Sequence, residues 1–194
     1  MLPFEGTQEY LQAALREMQA YLLSPELFWP LSGRPTAAGP PFLQLTPGNV
    51  LLAFDVLAAA NAAAGGSHWA EVQRLESEWD TQRTRWAVHL EAKAQRELTS
   101  RLRQWQTYVE DVSEAHAAED YAANVRPRLV AERLFDLLPK GPEAARAREQ
   151  LAQLDSRIGP FLQAGAFVLD PALRTRYPEQ AFPFLYQRPP SASS

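Results

Sequence analysis

Apolar residues recur along much of this chain at steps of three and four, the spacing that lines one face of an α-helix. The longest run carries Val72, Leu75, Trp79, Trp86, Leu90, Ala94, Leu98, Leu102, Trp105, Val109 and Val112. No glycine or proline interrupts residues 67–126, although the chain has 9 glycines and 16 prolines. The pattern therefore predicts one very long amphipathic helix over 67–113, opened by Ser67 as N-cap. Four successive steps of four from Trp86 to Leu102 drift away from a heptad and argue against a regular coiled coil.

Shorter helices are predicted on either side. Helix one covers 7–23, with Thr7 as N-cap and Leu11, Leu15, Met18 and Leu22 on one face. Thr46-Pro47 opens helix two over 47–64, which is apolar nearly all round and so belongs in the centre. Residues 25–45 hold Pro25, Pro30, Pro35, Pro40 and Pro41, an irregular connection from which Leu27, Phe28, Trp29 and Leu31 fold back on the core. A break is expected between His116 and Pro127. Helix four then spans 127–138 with Leu129, Val130, Leu134, Leu137 and Leu138 inward. Helix five spans 142–158 along a narrow seam of Ala144, Ala147, Leu151, Leu154 and Ile158. Aromatics among the prolines of 161–186 predict an extended segment over the bundle, pinning Phe182, Phe184 and Tyr186, and 189–194 a flexible tail.

The fold class that results is all-α, a helical bundle of about five helices around one very long central helix, in a single domain over 1–188. A helix of about 47 residues would be about 70 Å long, far beyond neighbours of about 26 Å. Two sets of short helices, or a second copy of the chain, must share it.

Composition adds exclusions. The 194 residues are 46% hydrophobic and 22% charged, within the globular range. Without cysteine, disulfides, thiolate catalysis and Cys-ligated metals are all excluded. The opening residues resemble no secretory leader and the apolar run 50–64 is too short and polar for a bilayer, so a cytoplasmic protein with no membrane partner is expected. The net charge of −4 divides into about −7 over 1–120 and +3 over 121–194. That asymmetry suits an acidic partner for the C-terminal part and is too weak to indicate nucleic acid.

Candidate chemistry is sparse. His68 with Glu71, and His116 with Glu119 and Asp120, have helical spacing, but no Glu-x-x-His pair of the di-iron bundles occurs. No metal, cofactor or catalytic residue is assigned. Gly65-Gly66-Ser67-His68 lacks a P-loop lysine and reads as a tight turn between helices. Asp55, the one charge in an otherwise apolar helix, needs a partner, expected to be an Arg of another helix, or else marks a ligand pocket. Arg74, Arg85, Arg96 and Arg103 share one face of a straight helix and, with Arg126, Arg128 and Arg133, form a candidate interaction face. Pairs such as Arg74 with Glu78, Lys93 with Glu97 and Glu97 with Arg101 read as a solvated surface. The leading expectation is a non-enzymatic scaffold or adaptor working through a protein partner or as a homo-oligomer. The alternatives are a nucleic-acid-associated protein using the Arg faces and a small-ligand binder around Asp55.

Overall fold

Thr46 shows how local chemistry starts an element here: its hydroxyl accepts the Asn49 N–H at 3.1 Å, and Pro47 follows at the first helical position. In this computed structural model, which describes residues 4–36, 41–112 and 121–190, the chain is predominantly helical. The helices are α1 (Phe4–Leu23), α2 (Pro47–Ala63), α3 (Trp69–Arg85), α4 (Ala87–Asp111), α5 (Tyr121–Asn124), α6 (Arg126–Leu134) and α7 (Pro142–Ile158). One antiparallel strand pair, β1 (Gln163–Ala164) with β2 (Gln187–Arg188), sets Gln163 against Arg188. The fold gathers into two units, residues 1–97 and 98–194.

In the first unit α2 packs against α1 and α3, and α1 against α3. The expected face of α1 is buried, Leu11, Leu15, Met18 and Leu22 together with Tyr10 and Tyr21. Helix α1 begins three residues before the predicted start, so Thr7 lies inside it, buried, instead of capping it. Helix α2 buries residues on every side of its first two turns. The proline-rich connection is tied down by Trp29, whose backbone pairs with that of Leu45 and whose indole donates to Glu17 Oε2 at 2.8 Å. Leu27, Phe28, Trp29 and Leu31 are half-buried.

The turn after α2 is made by Gly65 and Gly66 at φ +64° and +80°, where a side chain would be strained. Gly66 N–H reaches back to the Asn61 carbonyl at 2.8 Å and the Asn61 side chain accepts the His68 N–H at 3.0 Å. Ser67 does not cap α3: the helix begins at Trp69, with His68 in the N-cap position, no side-chain cap, and Asn61 holding the His68 backbone.

The very long central helix is broken at Trp86, which sits at φ −114° and ψ 25° between α3 and α4. No proline or glycine causes this, and the flanking bonds Trp86 N–H to Gln82 and Leu90 N–H to Trp86 both survive at 2.9 Å. The cause is closure around α2. One end of α2 holds His68 through Asn61, and the other holds Glu97 through Thr46. From Thr46 to Asn61 a helix rises about 22 Å, whereas from His68 to Glu97 a straight one would rise about 43 Å. A straight helix cannot meet both anchors. It gives way where nothing holds it, since no residue of 80–89 is buried. Outside that stretch Val72, Leu75, Trp79 and then Leu90, Ala94, Leu98, Leu102, Trp105, Val109 and Val112 are buried as the periodicity requires.

In the second unit α6 buries Leu129, Val130 and Leu134, then tightens into a 3₁₀ turn, Phe135–Leu137, which leaves Leu137 and Leu138 half-buried. Helix α7 buries Ala147, Leu151, Leu154 and Ile158, the predicted seam, with Ala144 half-buried at its start. Residues 161–186 do not run extended. They fold back through 3₁₀ turns at Pro171–Leu173 and Pro183–Leu185, joined by Gly165 N–H to Tyr186 and Val168 N–H to Leu185. Phe184 and Leu185 are buried, and Tyr121 donates to the Phe184 carbonyl at 2.7 Å. His116, Glu119 and Asp120, the first part of the expected break (116–120) and the last four residues of the tail lie outside the described residues.

Candidate functional site

Two buried charges of the first unit sit on one turn of α4. Glu97 is 0% exposed, and its carboxylate accepts the Thr46 hydroxyl at 2.7 Å and the Gly48 N–H at 2.8 Å. A carboxylate at a helix N-terminus satisfies free N–H groups and lies at the positive end of the helix dipole. Four residues earlier Lys93, 3% exposed, donates to the Ser24 carbonyl at 3.0 Å and to the Glu26 carbonyl, with its ammonium 4.3 Å from the centre of the Tyr21 ring. Burial pushes the Lys93 ammonium below the usual lysine value; Arg96 adds to this and Glu26 opposes it. Burial, then the Glu97 charge, pushes the Tyr21 phenol far up.

Lys93 and Glu97 are thus not a solvated surface pair. Both flank the buried stripe of Leu90, Ala94 and Leu98 at helical offsets of three. The width of an apolar face, about 100° or more, was the signal that places them inside.

Asp55 is buried, 2% exposed, and not without a partner. On α3, Glu71 accepts from Gln8 at 3.0 Å and Gln12 at 3.1 Å on α1 and from Arg74 at 2.8 Å. The Arg74 hydrogen bond, against the effect of burial, holds the Glu71 carboxyl at about 2. This engagement leaves Glu71 no free oxygen to share with His68, which stacks on Phe4 at 4.0 Å. Among the described residues no group of three or more His, Asp or Glu is placed to hold a metal ion.

The predicted Arg face does not survive as one surface. Arg74 is paired with both Glu71 and Glu78, the latter at 3.3 Å as its spacing suggested. The break at Trp86 then separates Arg74 and Arg85 on α3 from Arg96 and Arg103 on α4. Arg85 lies over the Trp86 ring at 5.3 Å; Arg96 and Arg103 are exposed. In the second unit Arg128 is buried rather than presented. It donates through Nε and a terminal nitrogen to Asp155 at 2.9 to 3.0 Å, through the other to Glu132 at 2.9 Å, and lies 4.2 Å from the centre of the Phe184 ring. Trp105 adds a hydrogen bond to Asp155 at 3.1 Å. Arg133 pairs with Asp136, and Arg126 is half-buried and engaged.

Beside this network lies an open cleft of about 130 Å³, walled by Arg128, Glu132, Phe135, Arg148, Leu151, Ala152 and Asp155. Arg148 covers the Phe135 ring at 3.9 Å and approaches Glu132 at 3.6 Å. The lining carries two guanidiniums and two carboxylates, so its charges cancel. Such a group cross-links helices; it offers no nucleophile and no isolated acid or base. No helix among the described residues is long and apolar enough to cross a membrane.

No family model, curated protein or solved structure matches this chain.

Proposed function

We propose that this chain is a non-enzymatic helical scaffold that works through protein–protein contacts, with residues 80–89 as a contact surface. The observation that carries it is the bowed α3–α4 junction, which buries no residue yet holds Trp86 half-exposed and Val88 77% exposed. Apolar side chains gain most from a partner when their own fold leaves them wet. The buried charges support the same reading, because Lys93, Glu97 and Arg128, the last with half-buried Asp155, are committed to holding helix ends and helix pairs. The nucleic-acid alternative draws less support, with Arg74 and Arg128 already neutralised by carboxylates.

The test is affinity capture with the wild type and with Val88→Asp, both checked for helicity by circular dichroism. A protein partner held by the wild type and lost by the variant is the expected result. Identical interactors for both, or retention on heparin at low salt without any protein partner, would overturn the proposal.

A further inference from the structure

Local preference and tertiary closure disagree at one residue. From Trp69 to Asp111 the sequence has no helix breaker, and only Trp86 leaves the helical region. The bend has a visible cost: Gln82 Oε1 and Trp86 Nε1, one turn apart, are shielded from water and hydrogen-bonded to nothing among the described residues. Its local gains are ring contacts at the surface, Arg85 over Trp86 and Trp86 against His89, and no residue from 80 to 89 is buried. What enforces it lies at the two ends, where Asn61 holds His68 and Thr46 and Gly48 hold Glu97, with Lys93 held at the end of α1.

These are the conditions under which a short strained connection favours exchange between copies. We propose that Trp86 is a hinge for such exchange, with a second copy of this chain as the occupant. In the exchanged form α3 and α4 join into one helix from Trp69 to Asp111, about 65 Å long. That helix is too long for its own α2 to hold both ends. Glu97 and Lys93 of each copy therefore leave their own α2 and α1 and dock on those of the other. The Glu97 and Lys93 contacts are remade between chains, while Asn61 keeps His68 within its own; the bend and its two unsatisfied atoms disappear. The inference goes beyond the scaffold reading, because exchange needs no other protein and does not use Val88 as a docking surface.

The experiment refolds the full chain from denaturant at micromolar and at hundreds of micromolar concentration, and follows mass by size exclusion with light scattering. The expected result is a dimer fraction that grows several-fold with refolding concentration and persists for hours after dilution. Trp86→Ala, which favours helix at the hinge, raises that fraction several-fold, and Trp86→Gly, which disfavours it, lowers it. Circular dichroism confirms that both variants fold. Mixing two differently tagged batches of native monomer gives no mixed dimer until they are unfolded and refolded together. The proposal is overturned by a monomer under every refolding condition, by a dimer that dissociates within minutes of dilution, or by one insensitive to both Trp86 substitutions. None of these outcomes depends on whether Val88→Asp loses a protein partner.

Discussion

Lys93 and Glu97, one turn apart on α4, hold opposite kinds of helix end: Glu97 the N-terminus of α2, through Thr46 and Gly48, and Lys93 the chain leaving the C-terminus of α1, through the Ser24 and Glu26 carbonyls. Each charge meets the dipole end of opposite sign. One turn of α4 thereby sets the approach of two helices.

Removing the carboxylate leaves the buried Gly48 N–H and Thr46 hydroxyl without the acceptor they share. We expect Glu97→Ala to cost about 3 kcal/mol, through lost charge-assisted hydrogen bonds and donors left unsatisfied, and Thr46→Val about 1 kcal/mol, with clear coupling in a double-mutant cycle because the two groups touch. Urea unfolding followed by circular dichroism measures all three. Strictly additive effects would show that the contact at 2.7 Å carries no energy of its own.

Glu71 ties α3 to α1, and Arg74 holds its carboxyl at about 2. A depressed carboxyl contributes stability that is present above its unfolded value near 4.5 and lost as pH falls toward 2. Because the side chain is 28% exposed, screening reduces the contribution to about 1 kcal/mol. Thermal unfolding of wild type and Glu71→Gln between pH 6 and about pH 2 should therefore converge as the acid is added.

Burial pushes the phenols of Tyr21 and Tyr121 well above the usual tyrosine range. Unfolded tyrosines ionise near pH 10, so the unfolded chain loses these protons first, and the stability the two groups contribute below that pH drains away above it. Alkaline unfolding should release Tyr21 and Tyr121 in the ultraviolet difference spectrum. Tyr121→Phe removes one of them, and also the bond to the Phe184 carbonyl, at a cost of about 1 kcal/mol at neutral pH.

Arg128 and Arg148 border one cleft with opposite expectations. Arg128→Ala strands Asp155 and Glu132 in a half-buried site and should cost about 3 kcal/mol. Arg148, 55% exposed and 3.6 Å from Glu132, should cost no more than about 0.5 kcal/mol when truncated. Equal losses at the two positions would contradict the Arg128 network.

Periodicity and breaker residues were sufficient for most of the helices, because a face repeating at three and four must be buried whatever it is buried against. Helix α7 over 142–158 and the Thr46 cap of α2 could be read directly, as could the buried stripe from Val72 to Val112 on either side of Trp86. Such information is local, a matter of φ, turn chemistry and the spacing of side chains. What the sequence could not carry was closure. That Trp86 must bend follows only from α2 holding His68 at one end and Glu97 at the other, two anchors 29 residues apart whose separation is set by a different helix. Lys93, Glu97 and Arg128 look like surface charges in the sequence for the same reason. Their partners, Ser24, Thr46 and Asp155, are brought to them by packing, and only packing decides which charged side chains leave water.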